Sequence, residues 1–231
     1  MKVPCLLTTK LLSAPSLGAP VRPRVIINAA MSVDGKIALP DGQAIRLSND
    51  EDLQRVHELR AQVDAIVVGI GTVLMDDPKL TVKRELASGR NPLRVVVDSD
   101  GRTPDDAHVL DGSAPTLIVT TEECDRVFPR AEVLRCGKDD VDLRRLLEDL
   151  SRRGVSTLLV EGGSTIIWSF LQEGLADEVK IFVRSAILGG HAAPTLAGGR
   201  GAASAEEIVP LRLVQAGRLG DGVLLEYTVI R

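Results

Sequence analysis

Five short runs of apolar, mostly β-branched residues constrain the fold of this sequence more than any other feature. Each run is continuous rather than alternating, which is typical of strands that are buried on both faces of a sheet. The runs are RVIINAAM (24–31), DAIVVGI (64–70), LRVVVDS (93–99), PTLIVTT (115–121) and STLLVEGG (156–163). Helices must then cover the sheet, so these runs predict an α/β fold.

Helical patterns lie between several of these runs. Ser48 and Glu51 have capping-box spacing, which predicts a helix over residues 49–61. Leucines recur at helical spacing in VDLRRLLEDLSRRG, and Gly154 is a suitable end for that helix. The segment STIIWSFLQEG (164–174) predicts a third helix, closed by Gly174.

The last part of the chain has mainly strand character. LRLVQAGRLGDGVLLEYTVI predicts a terminal hairpin, and DEVKIFVRSAIL precedes it. We therefore expect a single mixed-sheet domain over residues 24–231, after an irregular, proline-interrupted extension over residues 1–23. One long Gly/Ala-rich loop, residues 189–207, interrupts the pattern, and loops of that length are commonly functional.

Composition argues against several classes of function. A net charge of −4 does not suit a nucleic-acid-binding surface, and no stretch approaches the roughly 20 apolar residues of a membrane span. The cysteines, at positions 5, 124 and 136, are odd in number and far apart, which favours a reducing cytoplasm. The three histidines are equally scattered, so we expect no metal site. From the charge and the short apolar stretches we expect no nucleic-acid partner and no membrane association.

A glycine turn follows the second apolar run. In VVGIGTVLMDDPKLTV (67–82), Gly69, Gly71 and Thr72 lie where a strand ends and a helix begins. Leu74 occupies the third position of the dinucleotide pattern G-x-G-x-x-G, and the chain has no P-loop spacing. Any phosphate held here is therefore bound without either common fingerprint.

A second glycine turn follows the fifth run. Gly162 and Gly163 let a ligand approach the backbone, and Ser164 and Thr165 begin a helix whose free N–H groups favour an anion. Alone, either junction is more simply a tight turn. Ligands of open α/β sheets bind at the carboxyl ends of strands, so two such turns side by side could hold a pyrophosphate.

Several polar residues near these turns are candidates for a second ligand. Arg60 and Lys83 could bind another phosphate, although single basic residues are usually solvated surface charges. Asp76, which precedes Asp77 and Pro78, is equally consistent with the start of a plain turn. Glu161 and Asn28 lie in apolar strands, where a polar group should face a cleft.

The motifs taken together resemble a known family. NAAMSVDGKIA (28–38), LRAQVDAIVVGIGTVLMDDPKLTV (59–82), NPLRVVVDS (91–99), VEGGSTIIWSFLQEGLADEV (160–179) and APTLAGGRG (193–201) are similar to the riboflavin-biosynthesis reductase domain, over residues 24 to 230 and in the same order. The resemblance implies a dihydrofolate-reductase-like fold, a mixed sheet flanked by helices. It also implies NADPH-dependent reduction of a pyrimidine-linked ribose 5-phosphate to the ribitol phosphate, with NADH as the alternative cofactor.

The resemblance favours one substrate over another. A fused zinc deaminase would need H-x-E and P-C-x-x-C signatures, and the chain has neither. It thus resembles the stand-alone archaeal and fungal reductases, which implies 2,5-diamino-6-ribosylamino-4(3H)-pyrimidinone 5′-phosphate as the substrate. The deaminated aminouracil counterpart is the competing possibility.

The family's functional residues carry over by matching motif. The implied cofactor contacts are Gly71, Thr72, Asp76, Ser99, Gly162, Gly163, Ser164 and Thr165. The implied substrate contacts are Asn28, Arg60, Leu80, Lys83 and Glu161, with Arg60 and Lys83 as the choice for the 5′-phosphate. Some bacterial relatives carry Arg at the Lys83 position and Lys at the Asn28 position. Glu161 is the one candidate for the proton-transfer step, and no general acid is assigned.

Two other functions stay open at this stage. A dihydrofolate reductase would share the fold, but it resembles a chain with an acidic residue in the early helix and more aromatics than the 2% present here. A non-catalytic nucleotide-binding protein would bind cofactor without turnover. The family also implies a homodimer, and Arg102 and Thr120 are candidates for the contact that decides between NADPH and NADH.

Overall fold

A computed structural model describes residues 22–41, 45–83, 85–86 and 91–231. Within these residues there are nine strands and four α-helices, and strands follow one another directly in the middle and at the end of the chain. Their bounds are β1 (Arg24–Ser32), α1 (Asp50–Ala61), β2 (Ala65–Gly69), α2 (Ile70–Asp76), β3 (Leu93–Val97), β4 (Thr116–Thr120), β5 (Glu132–Arg135), α3 (Leu143–Arg152), β6 (Thr157–Gly162), α4 (Ser164–Gln172), β7 (Glu178–Arg184), β8 (Leu211–Leu219) and β9 (Gly222–Val229). The predicted extension over residues 1–23 falls almost wholly outside the described residues.

All of these strands belong to one sheet, in the order β5-β4-β3-β2-β6-β1-β7-β9-β8. Pairing is parallel from β5 through to β7 and antiparallel for β7–β9 and β9–β8. The predicted mixed sheet with an antiparallel terminal hairpin is therefore confirmed. Because β2 and β6 are neighbours, their carboxyl ends lie at the same edge of the sheet.

The five predicted strands are present, with bounds that differ by up to two residues. The short edge strand β5 was not predicted. Its sequence, EVLR, has exposed charged ends and no continuous apolar run, because an edge strand with one open side is not enclosed by the core.

Two hydrophobic clusters cover the two faces of the sheet. On one face, β-strand residues pack against the leucines of α3 and against Ile166, Ile167 and Phe170 of α4. On the other face, alternate strand residues pack against Ile70 and Val73 of α2. In β6, Leu158 faces the first cluster and Leu159 the second, which is why the strand has a continuous apolar sequence.

The helix ends follow the sequence with one correction. α1 begins one residue later than the predicted capping box requires, because Asn49 is the N-cap and its side chain accepts a 2.8 Å hydrogen bond from Asp52 N. Ser48 instead donates to the Asp52 carboxylate. Gly154 and Gly174 follow α3 and α4 with φ values of 84° and 67°, as expected of glycines that end helices. No helix in the described part of the chain is long and apolar enough to cross a bilayer.

Candidate active site

The two glycine turns lie side by side at one edge of the sheet. Val68 of β2 pairs with Gly162 of β6, after a register shift between Val67 and Val68. A Cβ atom built on Gly163 would stand 3.3 Å from Thr72 Oγ1, which is closer than most side-chain contacts. Gly162 has a φ of 126°, a conformation that other residues rarely adopt. The two turns therefore form one backbone-lined surface that a side chain would partly fill.

A cavity of about 640 Å³ opens over these turns. It is lined by seven of the eight predicted cofactor residues, namely Gly71, Thr72, Asp76, Ser99, Gly163, Ser164 and Thr165. Gly162, the eighth, immediately precedes Gly163 at the end of β6. The cavity volume is within the range of about 300–1,000 Å³ that is common for ligand pockets. Glycine backbone, hydroxyls and the first-turn N–H groups of α4 suit the phosphates of a dinucleotide. The residues present therefore fit a nicotinamide cofactor, although the individual contacts stay predictions.

Asp76 contributes a carboxyl group to this cavity. Burial raises the pKa of that carboxyl group above its ordinary value. The next residue, Asp77, ends α2 in a left-handed conformation with φ of 39°, and its side chain accepts a 2.7 Å hydrogen bond from His108 N. Of the acidic pair, Asp76 is therefore the member that lines the cavity.

The loop after β3 places Ser99 and Arg102 in the lining of the same cavity. Asp98 fixes this loop from beneath, because its fully buried carboxylate accepts hydrogen bonds from Arg102 N at 2.8 Å and from both Thr103 N and Thr103 Oγ1 at 2.7 Å. Sequence reasoning did not select Asp98. The only signal was an acid at the end of an apolar strand, the feature that drew attention to Glu161.

The long loop 189–207 reaches the cavity as well. Pro194 lines it, and Gly198 N donates a 3.1 Å hydrogen bond to Ser164 O at the start of α4. A Cβ atom on Gly198 would stand 2.7 Å from Ser164 Oγ, so a glycine is needed for this close approach. The loop therefore forms part of the cavity wall.

The predicted substrate residues are not themselves part of the cavity lining, and two of them form an ion pair. Arg60 Nε and Nη2 donate to the two carboxylate oxygens of Glu161 at 2.7 and 2.6 Å. Both side chains are largely buried, at 17% and 8% exposure. Burial acts to lower the pKa of Arg60, but the charge and hydrogen bonds of Glu161 more than offset it, so the pKa is raised overall. The pair joins α1 to the end of β6.

This ion pair limits what Arg60 can do for a phosphate. Its third nitrogen, Nη1, donates to Thr81 O at 3.2 Å, so all three guanidinium nitrogens are engaged, by two partners. Lys83, by contrast, has an exposed side chain just beyond Thr81. The assignment of the 5′-phosphate to both residues stays a prediction, and the geometry favours Lys83 as the more accessible cation.

Asn28 and Leu80, the remaining predicted substrate residues, are both buried. Asn28 Oδ1 accepts a 2.7 Å hydrogen bond from Arg55, which is also paired with Asp52. Leu80 has a φ of 50° and its side chain packs in the second hydrophobic cluster, so the backbone is its accessible part. Sequence reasoning missed Arg55 and Asp52, whose signal is opposite charges three residues apart on a helix.

His57 is a further residue that sequence reasoning did not select. It lies on α1 one turn before Arg60, and Arg60, Lys83 and Glu161 are its charged neighbours. Its spacing from Arg60 placed both residues on one face of the helix, which was the available signal. No group of three or more His, Cys, Asp or Glu residues that could hold a metal occurs in the described part of the chain.

A mixed sheet with paired glycine turns at its parallel-strand edge defines an α/β domain whose cavity suits a nucleotide. The chain belongs to the RibD C-terminal domain family, which it matches over residues 23–225. In Methanothermobacter thermautotrophicus, a protein named 2,5-diamino-6-ribosylamino-4(3H)-pyrimidinone 5′-phosphate reductase is 48% identical over 215 residues, or 90% of this chain and 99% of that protein. A protein of the same name from Archaeoglobus fulgidus is 42% identical, over 87% of this chain and 96% of its own length.

A solved structure gives the same fold. The diaminohydroxyphosphoribosylaminopyrimidine deaminase/5-amino-6-(5-phosphoribosylamino)uracil reductase of Thermotoga maritima superimposes with a TM-score of 0.77 at 30% identity. The match covers 90% of this chain and 57% of that one. The sheet thus has the dihydrofolate-reductase-like fold that the sequence motifs implied.

Proposed function

We propose that the protein is a riboflavin-pathway reductase that converts 2,5-diamino-6-ribosylamino-4(3H)-pyrimidinone 5′-phosphate to its ribitylamino product. One observation carries the proposal. Glu161 of the buried ion pair and the Gly162–Gly163 turn are consecutive residues at the end of β6, so the predicted substrate cluster adjoins the dinucleotide cavity. The two proteins of that name, at 48% and 42% identity, support the choice of substrate.

The proposed reaction needs a positioned sugar and the exclusion of water. The ribosylamine opens to a C1′ imine, after which one hydride adds to C1′ and one proton to the nitrogen. When bound, the nicotinamide cofactor supplies the hydride. The chain's own residues hold the phosphate through Lys83 and fix α1 against β6 through the Arg60–Glu161 pair. Because that pair keeps the Glu161 carboxylate as a hydrogen-bond acceptor, we assign it to orientation rather than to acid catalysis.

A second substrate has specific support. The Thermotoga maritima protein is named a reductase of the deaminated uracil compound, and it is 30% identical to this chain. The test is an NADPH-oxidation assay with the diaminopyrimidinone phosphate, the aminouracil phosphate and dihydrofolate in parallel. We expect the highest kcat/KM with the first compound. Turnover with dihydrofolate alone, or NADPH binding without any turnover, would contradict the proposal.

NADPH rather than NADH is the proposed cofactor, and Arg102 is the proposed contact for its 2′-phosphate. Arg102 lines the cavity beside Ser99, and its own ion pair with Asp100 is long, at 3.5 Å, and exposed. Thr120, the other sequence candidate, is fully buried, and its hydroxyl donates to Thr121 O. These features favour Arg102.

A homodimer is the proposed assembly. β8 is an edge strand of the sheet, and Leu211, Leu213 and Val214 along it are 38%, 54% and 63% exposed. Exposed apolar edge strands usually require a cover, and a second copy would supply one. Sedimentation analysis should give a dimer for the protein and a smaller species for Val214→Glu. A monomer in both would contradict this assembly.

Two features of organisation are proposed with the function. Residues 24–231 act as a single reductase domain, preceded by an extension over residues 1–23. The cytoplasm is the proposed location, because Cys124 and Cys136 are free thiols in the structure and suit a reducing compartment.

A further inference from the structure

His57 has neighbours that make its charge depend on what the site binds. It lies on α1, and three elements bring charged groups to it: Arg60 from α1 itself, Lys83 from the segment after α2, and Glu161 from the end of β6. All three are predicted substrate residues. His57 lies one helical turn from Arg60, and Arg60 Nη1 donates a hydrogen bond to Thr81 O, two residues before Lys83, so the imidazole lies near the segment proposed to hold the phosphate.

The ring is not stabilised in its charged form by a hydrogen bond at Nδ1. Among the residues that the structure describes, Nδ1 of His57 is shielded from solvent and has no hydrogen-bond partner. A proton on a shielded nitrogen without an acceptor is costly, so this environment favours the neutral ring.

Burial and the two neighbouring cations act on the pKa of His57 in the same direction. Burial, and then the positive charges of Arg60 and Lys83, lower the pKa of His57, while Glu161 partly opposes them. The charge of Arg60 is already matched by Glu161 at 2.6 Å, whereas the Lys83 side chain is exposed. Lys83 is thus the neighbouring cation whose charge a ligand can most readily neutralise.

We propose that His57 is a conditional cation of the substrate phosphate site, a ring whose protonation is favoured when a sugar phosphate binds beside Lys83. The inference rests on the proposed function, because it requires the 5′-phosphate at Lys83. A phosphate monoester brings a charge of about −1.5 to −2 at neutral pH. It offsets Lys83 and adds an opposite charge nearby, and both effects favour the imidazolium.

The coupling has a consequence for specificity. By linkage, if phosphate binding strengthens proton binding at His57, protonation of His57 strengthens phosphate binding by the same factor. In the free site, a neutral His57 adds no third positive charge to those of Arg60 and Lys83. In the occupied site, a protonated His57 adds that third positive charge beside the phosphate. Sugars without a phosphate gain nothing from this coupling, so His57 acts as a specificity-determining residue.

The test is an NMR titration of the histidine rings against pH. Three histidines are present, and the signal missing from His57→Gln assigns the ring of interest. The titration is run on the free protein, with saturating ribose 5-phosphate, and with ribose as the neutral control. Lys83→Gln is compared with Lys79→Gln, which removes a charge from an exposed side chain in the same segment.

We expect ribose 5-phosphate to raise the proton affinity of His57 by about tenfold or more, the usual effect of a nearby opposite charge. Ribose should leave it unchanged, and Lys79→Gln should behave like the parent protein. In the Lys83→Gln variant without ligand, the proton affinity of His57 should already be higher than in the parent protein. It should also rise less when the sugar phosphate is added.

Two results would contradict the inference in different ways. If ribose 5-phosphate binds, by calorimetry, while the His57 titration stays in place, His57 is a neutral packing residue and the proposed function stands. If Lys83→Gln binds ribose 5-phosphate as well as the parent does, the phosphate site is misplaced and the inference fails with it. The NADPH-oxidation assay still decides the reaction separately.

Discussion

Arg60 and Glu161 form a bidentate ion pair that joins helix α1 to the end of strand β6. Arg60 lies in α1 and Glu161 at the end of β6, and their guanidinium and carboxylate groups are joined at 2.7 and 2.6 Å. The residue after Glu161 begins the glycine turn of the cofactor cavity. The pair therefore fixes the distance between the predicted substrate cluster and the cavity.

Removal of one partner should be costly. Arg60→Met or Glu161→Leu alone leaves a largely buried charge without its counter-ion, so we expect a loss of about 3 kcal/mol in the free energy of unfolding. The double variant should lose less than the sum, because neither charge remains. Denaturant unfolding measures both. Glu132→Gln is the control, since its side chain is 72% exposed and its pair with Arg153 should contribute less than about 1 kcal/mol.

A methyl group in the glycine turn should weaken cofactor binding. Gly163→Ala places a Cβ atom 3.3 Å from Thr72 Oγ1, where it narrows the backbone-lined surface. We expect the Kd for NADPH to rise by about tenfold, or about 1.4 kcal/mol, as measured by fluorescence titration. Gly217→Ala, in open space on β8, should leave the Kd unchanged. An unchanged Kd for Gly163→Ala would mean that the turn only connects β6 to α4.

Lys83→Ala should act on the substrate and not on the cofactor. Loss of a charge-assisted contact to the 5′-phosphate should raise KM by about tenfold, while NADPH affinity stays nearly intact. Steady-state kinetics with a parallel NADPH titration separates the two effects. Lys79→Ala is the matched control. If the variant binds the substrate and NADPH more weakly to the same extent, the assignment of Lys83 to the substrate phosphate is wrong.

Arg102→Ala should change the choice between the two nicotinamide cofactors. The guanidinium lines the cavity, so its loss should raise the Kd for NADPH by about tenfold and leave NADH almost unaffected, since NADH has no 2′-phosphate. The ratio of the two Kd values is the readout. Arg130→Ala, an exposed arginine outside the cavity lining, should not alter the ratio. A similar loss for both cofactors would count against a 2′-phosphate contact.

The carboxylate of Asp34 should contribute a pH-dependent part of the stability. Hydrogen bonds from Ser32 Oγ and from the backbone of Leu188 and Gly189 lower its pKa from 3.8 to about 2. The folded state therefore gains stability above pH 3.8, and that gain is lost as the pH falls towards 2.

Asp34→Asn tests this dependence. The difference in unfolding free energy between the parent and the variant should be constant above pH 4 and should shrink between pH 4 and pH 2. Asp106→Asn, at an exposed aspartate, is the comparison. A difference that does not change with pH would show that the carboxylate charge is not what holds residues 188–189 in place.

The sequence by itself determined the α/β class, the order of most elements and the pair of glycine junctions. It did so because these features depend on local properties: continuous apolar runs, helical leucine spacing and residues without a Cβ. The family motifs added the cofactor and substrate residues as hypotheses. The sequence did not reveal β5, because a four-residue edge strand with charged ends lacks the apolar run that marks a buried strand.

The tertiary structure alone decided which distant residues meet. Strand order placed β2 beside β6, and so brought Thr72 against Gly163, about ninety positions away in the sequence. It also paired Arg60 with Glu161, which makes Arg60 a less accessible phosphate ligand than Lys83, and it set His57 among their charges. Non-local contacts of this kind depend on how strands are ordered and helices packed, and no short stretch of sequence encodes that arrangement.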